Sequence, residues 1–162
     1  ASTVSSPSDE GRGSMKKTMN YITLEFLSRS SNEGFARTAV ACFAAQMDPT
    51  LGELEDIKTA VSEAVTNAIV HGYPNTLGKV TVKAKICEGN VLEVSVKDRG
   101  RGIPDVEKAR QPMFTTGGEE RSGMGFTIME SFMDHISVKS APGKGTTVTL
   151  RKKLAPRRRQ TT

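Results

Sequence analysis

Two neighbouring segments of the chain alternate strictly between apolar and polar side chains, and this alternation limits the possible folds more than any other feature of the sequence. The segments run from Val80 to Ile86 and from Leu92 to Val96, with Glu88-Gly89-Asn90 as a turn between them. Because successive side chains of a strand point to opposite faces of a sheet, one face here is apolar and the other polar. The sequence therefore predicts two adjacent strands in a sheet that is covered on one face.

A capping box predicts where the longest helix starts. Thr50 and Glu53 are three residues apart, the spacing at which each side chain accepts a hydrogen bond from the other residue's backbone N–H. The apolar stripe of this helix comprises Leu54, Ile57, Val61, Val65 and Ala68. Gly72 and Pro74 then end the pattern.

Two further helices and three further strands complete the predicted order of elements. One helix is capped by Ser31 or Asn32, and another begins near Gly125. The apolar positions of the first of these are Phe35, Ala39, Val40, Phe43 and Met47. The strands are predicted at about 18–26, 136–140 and 146–150. This order predicts an α+β fold, a two-layer α/β sandwich whose mixed, mostly antiparallel sheet carries helices on one face, with a mobile lid at 102–125.

The length of 162 residues suits one domain with a real core. We expect a disordered leader or cloning remnant at 1–14, a folded domain at 15–153 and a basic disordered tail at 154–162. No apolar run approaches the roughly 18 to 20 residues that span a bilayer, so we expect no membrane segment. Cys42 and Cys87 have neither metal-type spacing nor a disulfide framework, which indicates a reducing cytoplasm.

The net charge of +5 is confined to the end of the chain. Residues 1–150 carry seventeen basic and eighteen acidic side chains, whereas 151–162 carry six basic side chains and no acid. A specific nucleic-acid site needs a basic folded face, so we expect no direct specific nucleic-acid binding. The tail is most simply a solvated charge run, and a non-catalytic basic binding module remains an alternative.

Glu63 and Asn67 lie one helical turn apart, so that both can reach one ligand. A carboxamide oxygen suits Mg²⁺, which takes few protein ligands while it bridges substrate phosphates. A carboxylate one turn earlier can accept the proton of an attacking hydroxyl. On a helical wheel, however, both side chains point away from the apolar stripe, as ordinary solvated residues do. Spacing alone does not decide between these alternatives.

Asp98 follows a strand and stands beside Gly100 and Gly102. A carboxylate can accept a hydrogen bond from the exocyclic amino group of adenine, whereas guanine presents a carbonyl there, so this residue predicts ATP over GTP. The glycines let the backbone bend sharply and let a ligand approach closely. A turn-forming aspartate is an equally simple explanation.

Three segments together resemble one known superfamily. They are 62–73 (SEAVTNAIVHGY), Phe114-Thr115-Thr116 and 121–130 (RSGMGFTIME). With the order of the elements, they are similar to the GHKL ATPases and kinases, which include gyrase-type ATPases, Hsp90, MutL and histidine kinases, and within them to the anti-sigma kinases of spore-forming bacteria. The likeness covers about residues 19–153 and implies a Bergerat-type fold with a mobile ATP lid.

The resemblance implies roles for individual residues. It makes Glu63 the general base and Asn67 the Mg²⁺ ligand. Residues implied to bind ATP or ADP are Asn67, His71, Asp98, Gly100, Gly102, Ile103, Thr115, Thr116, Ser122, Gly123, Met124, Gly125, Phe126, Thr146 and Thr147. Gly123 and Gly125 are expected at a helix start, where free N–H groups hold phosphate. For the two threonine pairs, a loop role and strand propensity are the alternatives.

The resemblance also implies partners. It implies inhibition of sigma factor F, phosphorylation of a serine on an anti-anti-sigma partner, and a homodimer formed through the sheet and the first helix. Glu33 and Arg37 would contact both partners, although from the sequence alone they are a solvated helix face. A stress-response anti-sigma kinase and an ATP-hydrolysing conformational switch remain alternatives.

Overall fold

The computed structural model describes residues 17–101 and 120–156, and the described strands form one five-stranded sheet. The strands are β1 (Thr18–Leu27), β2 (Lys79–Cys87), β3 (Val91–Asp98), β4 (His135–Ala141) and β5 (Gly145–Lys153). Their spatial order is β1-β2-β3-β5-β4, and every pair is antiparallel. The two alternating segments are β2 and β3, paired in the register Val82 opposite Val96, so the predicted adjacent strands are confirmed.

Three α-helices lie against this sheet in the described chain. They are α1 (Ser31–Ala44), extended by a 3₁₀ turn at Ala45–Met47, α2 (Leu51–Asn67), continued by a π-helical turn at Ala68–Gly72, and α3 (Glu120–Phe132). The predicted capping box of α2 is confirmed. The Glu53 N–H donates to Thr50 Oγ1 at 3.0 Å, and the Thr50 N–H donates to Glu53 Oε1 at 2.9 Å. The α+β class and the helices on one face of the sheet are therefore confirmed.

The core lies between the helices and the apolar face of the sheet. Its largest fully buried side chains are Phe126, Ile57, Leu92, Met129, Leu150 and Leu154, with valines from α1, α2, β2 and β3. Burial of each such side chain contributes about 1.5–3 kcal/mol to folding. Because α2 packs between α1 and α3, a second row of small side chains on it, Ala60, Ala64 and Ala68, is buried beside the predicted stripe.

Three details of the predicted helices are wrong. Helix α1 begins at Ser31 with Ser30 as the cap, and no side chain bonds the free N–H groups there. Asn32 instead donates to the Leu27 carbonyl at 2.9 Å, which ties the helix to β1. Phe35 is 60% exposed, because the buried face of α1 runs through Ala36 and Val40. Helix α3 begins at Glu120, five residues before the predicted start near Gly125.

The packed structure continues past Lys153. Leu154 is buried in the core, and its N–H donates to the Asn90 carbonyl at 2.9 Å. The Ala155 N–H donates to Glu53 Oε2 at 2.8 Å, so the capping residue of α2 also holds the end of β5. Within the described ranges, no helix combines the length and the apolar character needed to cross a membrane.

Candidate functional site

Asp98, the last residue of β3, is a buried carboxylate at the edge of the helix layer. Its Oδ1 accepts a hydrogen bond from the Gly100 N–H at 2.9 Å. Burial raises the pKa of this carboxyl, and the backbone N–H groups of Gly100 and Thr146 lower it by a smaller amount. A carboxylate withdrawn from water in this way is available to accept one specific hydrogen bond from a ligand.

Glycines surround Asp98 at positions where a side chain has no space. A Cβ at Gly72 would lie 2.7 Å from the carboxyl carbon of Asp98. A Cβ at Gly100 would overlap the Gly72 carbonyl, and one at Gly145 would overlap the Asp98 carbonyl. We call these four residues, Gly72, Asp98, Gly100 and Gly145, the Asp98 end of the site. Here the backbones of α2, β3 and β5 touch directly.

The Tyr73 side chain holds the turn that follows Asp98. Its hydroxyl donates to the Lys79 carbonyl at 2.8 Å and accepts from the Arg99 N–H at 2.7 Å. Gly78 makes room for the ring, because a Cβ there would overlap it. The sequence interpretation missed this role. The available signal was a tyrosine directly after Gly72, in a segment that must turn from helix to strand.

Arg101 donates hydrogen bonds to carbonyls at the end of the π-helical turn that follows α2. Its Nε donates to the His71 carbonyl at 3.1 Å, and its N–H donates to the Gly72 carbonyl at 3.1 Å. The last carbonyls of a helix lack partners of their own, so these bonds fix the π-helical turn against the Asp98 turn. Arg99 and Arg101 are both exposed, and neither lines the cavity beside Asp98.

A small cavity opens beside Asp98 between the helices and the sheet. It is lined by Ala64, Asn67, Ala68, His71, Gly72, Val96, Asp98, Phe126, Thr146 and Val148. Five of the predicted nucleotide-binding residues, Asn67, His71, Asp98, Phe126 and Thr146, therefore meet at one place. The cavity is small, about 20 Å³, and it is open to the surface on one side.

Glu63 and Asn67 are half-buried and meet beneath α3. Gly125 is buried there, and a Cβ on it would lie 3.2 Å from both Asn67 Nδ2 and Glu63 Oε1. Asn67 Nδ2 is buried and finds no hydrogen-bond partner among the described residues. We call Glu63, Asn67 and Gly125 the Glu63 end of the site. The helical wheel could not show this arrangement, because it ignores the helix that packs across it.

Helix α3 starts earlier than predicted, and this changes which backbone N–H groups are free to bind phosphate. The first four N–H groups of a helix are the free ones, and in α3 they belong to residues 120–123. Gly123 is therefore in the first turn, but Gly125 is in the second, where its N–H can bond within the helix. What the structure shows for Gly125 is the close packing against Glu63 and Asn67.

The remaining predicted residues divide into three groups. Thr146 pairs with Asp98, and Thr147 pairs with Lys97. Because neighbouring residues of a strand point to opposite faces of the sheet, Thr147 faces away from the cavity and does not line it. The Thr146 hydroxyl lies 2.7 Å from Ser140 Oγ. Ser122 and Met124 lie in the first two turns of α3. Four predicted residues lie outside the described part of the chain: Gly102, Ile103, Thr115 and Thr116.

Glu33 and Arg37 form an ion pair along α1, with Arg37 Nε 3.2 Å from Glu33 Oε2. The two side chains are only 23% and 39% exposed, so they are not the fully solvated face that the sequence suggested. Neither of these two atoms has a partner with hydrogen-bond geometry among the described residues. The pair is therefore a loose electrostatic contact that another carboxylate or cation can replace.

Comparison with known proteins extends this geometry. Residues 28–152 match the model of the histidine kinase-like ATPase domain. The chain is 60% identical over 134 residues to the anti-sigma F factor of Thermoanaerobacter sp. (strain X514), covering 82% of this chain and 93% of that protein. It is 57% identical over 140 residues to the anti-sigma F factor of Caldanaerobacter subterraneus subsp. tengcongensis, and that match covers 86% of this chain and 97% of the other protein.

Solved structures with the same fold are more distant in sequence. The chain resembles the crystal structure of the RsbU and RsbW domains of a Mycobacterium tuberculosis protein, with a TM-score of 0.63 and 22% identity. That match covers 84% of this chain and 32% of the other. The histidine kinase domain of a blue-light activated kinase from Erythrobacter litoralis gives a TM-score of 0.51, also at 22% identity, over 77% of this chain and 60% of the other. These structures support the arrangement of helices and sheet described above.

Proposed function

The chain belongs to the histidine kinase-like ATPase family and, within it, to the anti-sigma F factors, and from this premise we propose that it has two activities. It binds and inhibits sigma factor F, and it uses ATP to phosphorylate a serine on an anti-anti-sigma partner, both in the cytoplasm. The observation that carries the proposal is the meeting of Glu63 with Asn67 beneath Gly125, next to the cavity that holds Asp98.

Adenine recognition is assigned to the Asp98 end. The Asp98 carboxylate accepts a hydrogen bond from the exocyclic amino group, and this pairing selects adenine over guanine. Thr146 and Val96 line the same cavity and pack around the base. A Cβ at Gly72 would meet the Asp98 carboxylate, and one at Gly100 would overlap the Gly72 backbone, so the carboxylate is closely packed and held in place before the nucleotide arrives.

Magnesium is assigned to Asn67 together with the phosphates of ATP. Among residues 17–101 and 120–156, no three His, Cys, Asp or Glu side chains converge as an all-protein metal site would require. Asn67 Nδ2, by contrast, is buried and has no hydrogen-bond partner among the described residues, so it can donate to a phosphate oxygen while the amide oxygen of the same side chain ligates the ion. A site with one amide ligand and several phosphate oxygens and waters suits Mg²⁺, whose charge would offset that of the phosphates.

Glu63 is assigned as the general base. Its Oε1 lies beside Asn67 at Gly125, so an acceptor hydroxyl that reaches this carboxylate is also next to the phosphates. Phosphoryl transfer depends mainly on the position of the nucleophile and on charge stabilisation. A carboxylate that orients the serine hydroxyl and accepts its proton meets the first of these requirements.

Sigma factor binding is assigned to the exposed face of α1. Phe35 is 60% exposed between Glu33 and Arg37, and an exposed aromatic flanked by opposite charges is typical of a protein-binding surface. A homodimer is assigned to the adjacent edge of the sheet. There β1 is the outermost strand of the sheet within the described residues, and it exposes 64% of Met19 and 59% of Tyr21.

The kinase assignment is tested by incubating the protein with γ-labelled ATP and its anti-anti-sigma partner. We expect label on a partner serine, with little label from γ-labelled GTP. Glu63→Gln should slow transfer by about 100-fold or more while ATP still binds. Label released only as free phosphate would contradict the proposal and favour an ATP-hydrolysing switch.

A further inference from the structure

The face of the sheet that points away from the helices carries a concentration of basic side chains. Because alternate side chains of a strand point to opposite faces, the neighbours of the buried residues Val82 and Val96 lie on this outer face. We call it the open face. Its basic residues in the described strands are Lys79, Lys83, Lys85, Lys97, Lys139, Arg151 and Lys153. Its acidic residues there are Glu25 and Glu93.

Folding separates charges that are nearly balanced in the sequence. Residues 1–150 carry seventeen basic and eighteen acidic side chains. Seven of the acidic side chains belong to the three α-helices: Glu33, Glu53, Glu55, Asp56, Glu63, Glu120 and Glu130. The helices pack on the other face of the sheet, so these carboxylates lie away from the open face. The net charge of the chain therefore does not reveal that one face of the sheet is basic.

Ion pairs neutralise only part of the charge of the open face. Arg151 Nη2 donates to Glu93 Oε1 at 2.8 Å, and Lys85 Nζ lies 3.7 Å from Glu93 Oε2. Lys79 Nζ lies 3.6 Å from Glu25 Oε2. The lysines of the open face that have no ion pair with a described residue are Lys83, Lys97, Lys139 and Lys153. A surface with this excess of cations attracts polyanions.

A cavity on the open face lies among β1, β2 and β3. It is lined by Glu25, Lys79, Thr81, Lys97 and Arg99, and its volume is about 210 Å³. Glu25 pairs with Thr81, and Thr81 pairs with Lys97, so the three residues form a row across the strands. Three cations and one hydroxyl favour an anion such as a phosphate group. The Lys79–Glu25 contact joins side chains that are 54% and 57% exposed, so a phosphate can replace the carboxylate.

The composition of the open face fits a phosphate backbone better than a protein surface. Protein interfaces have an apolar core from which lysine is largely absent. Here the apolar side chains lie on the edge strand or at strand ends, at Tyr21, Leu27, Cys87, Val91 and Ala141. A second copy of the chain would bring like charges together. Nucleic-acid phosphates, by contrast, are bound by Lys, Arg and hydroxyls, and the open face has hydroxyls at Thr23, Thr81, Ser95, Ser137, Thr147 and Thr149.

We propose that the open face binds the sugar–phosphate backbone of nucleic acid without reading the bases. Each phosphate that a Lys or Arg side chain neutralises releases condensed counterions, and this release drives binding. The proposal does not depend on the kinase activity, because the cavity beside Asp98 lies between the helices and the other face of the sheet. Contacts with phosphates carry no sequence information, so the expectation of no specific nucleic-acid binding is unaffected.

Fluorescence anisotropy with a fluorescein-labelled DNA duplex of arbitrary sequence tests the proposal. ADP is present to occupy the nucleotide site. We expect the wild type to bind, with an affinity that falls about 100-fold between about 50 and about 200 mM KCl if about four phosphates are neutralised. A duplex of unrelated sequence should bind equally well. No binding at the lower salt concentration, or binding that salt does not weaken, would overturn the proposal.

Charge reversals locate the binding surface. Lys83→Glu and Lys97→Glu, both on the open face, should each weaken duplex binding about tenfold and make it less dependent on salt. Lys58→Glu is the matched control, because it changes the net charge equally on α2, where Lys58 is 35% exposed. It should change the affinity less than about threefold. Equal losses in all three variants would show that only net charge matters and would overturn the assignment to the open face.

Two further measurements exclude other sites and other partners. In a chain that carries Arg157→Ser, Arg158→Ser and Arg159→Ser, Lys97→Glu should still weaken duplex binding about tenfold. Complete loss of binding in that chain would assign the binding to the basic tail and overturn the proposal. Polyglutamate and phosphatidylserine vesicles, at an equal concentration of charge, should displace the labelled duplex less well than unlabelled duplex does. Stronger displacement by either would make the open face a site for acidic polypeptide or membrane instead.

Discussion

At the Asp98 end of the site, backbone atoms of three elements touch one another, whereas at the Glu63 end two side chains of α2 face α3 across Gly125. A Cβ at Gly100 would overlap the backbone of Gly72, which cannot move without displacing the end of α2. A Cβ at Gly125 would lie 3.2 Å from the tips of Glu63 and Asn67, which are side chains that can rotate. The Asp98 end is therefore rigid, and the Glu63 end can rearrange.

This difference in rigidity agrees with the role that is proposed for each end. A base is recognised by one fixed hydrogen-bond pattern, so a preformed pocket increases affinity. Phosphate transfer requires that nucleotide, metal ion and acceptor come together and separate again in each turnover, and that is easier when α3 and the side chains beneath it can shift.

The largest effect is expected from a methyl group at the rigid end. Gly100→Ala should weaken ATP binding by about 100-fold or more and destabilise the fold by several kcal/mol, because backbone must move to relieve the overlap. Gly125→Ala should weaken binding by about tenfold or less, since the neighbouring side chains can rotate away. Calorimetric titration with ATP, together with urea denaturation, compares the two variants. Equal losses in both would remove the distinction between the ends.

Acid should weaken nucleotide binding through Asp98. Burial raises the pKa of this carboxyl, so as the pH falls through that raised pKa the group gains a proton and loses its acceptor role. ADP affinity should then fall by up to about tenfold per pH unit. The effect of this group on stability has the opposite sign: its stabilising contribution is full below its unfolded pKa and is lost as the pH rises through the folded one.

Two variants identify which side chain causes this pH dependence of ADP affinity. His71 lines the same cavity and is an ionisable side chain too. ADP affinity measured between pH 5 and 8 should keep its acid-side decline in His71→Asn and lose it in Asp98→Asn. If the decline disappears in His71→Asn and persists in Asp98→Asn, the histidine and not Asp98 causes the pH dependence.

Tyr73→Phe tests how the rigid end is held. The change leaves the Arg99 N–H and the Lys79 carbonyl without their hydroxyl partner, so the turn after Asp98 loosens. The KM for ATP should rise about fivefold while kcat stays the same. Tyr21→Phe is the matched control for loss of a hydroxyl, because that ring is 59% exposed on β1, at the edge assigned to the homodimer and not to nucleotide binding. A lower kcat with an unchanged KM would show that Tyr73 does not position the base pocket.

The smallest effect concerns stability alone. Glu53→Ala removes the hydrogen bonds from Thr50 and Ala155 and should lower the free energy of unfolding by about 1–2 kcal/mol in urea. Glu55→Ala, at a more exposed carboxylate, should change it by less than about 0.5 kcal/mol. Burial alone would raise the pKa of Glu53, but the bonds from Ala155 and Thr50 and the charge of Lys152 lower it. The contribution of Glu53 is therefore present at neutral pH and lost as the pH falls through its folded pKa.

The sequence correctly predicted those features of the fold that depend only on residues close together in the chain. The alternation in β2 and β3 and the capping box at Thr50 and Glu53 depend on neighbouring residues, and both are confirmed. The half-buried position of Glu63 and Asn67 depends on α3, which is distant in the sequence, so the helical wheel could not distinguish them from solvated residues. Tyr73 was missed because its two partners, Lys79 and Arg99, come together only in the folded chain. Thr147 was grouped with Thr146 although a strand sends neighbours to opposite faces.

The division of labour between the two ends is tested most directly by the dissociation constant of ATP, measured with Mg²⁺ in two variants. Asp98→Ala should bind ATP at least about tenfold more weakly than the wild type, because it loses a charged hydrogen-bond acceptor from a buried pocket. Glu63→Gln should bind within about threefold of the wild type, because its role is to receive a proton during transfer. Normal affinity in Asp98→Ala together with lost affinity in Glu63→Gln would contradict the account.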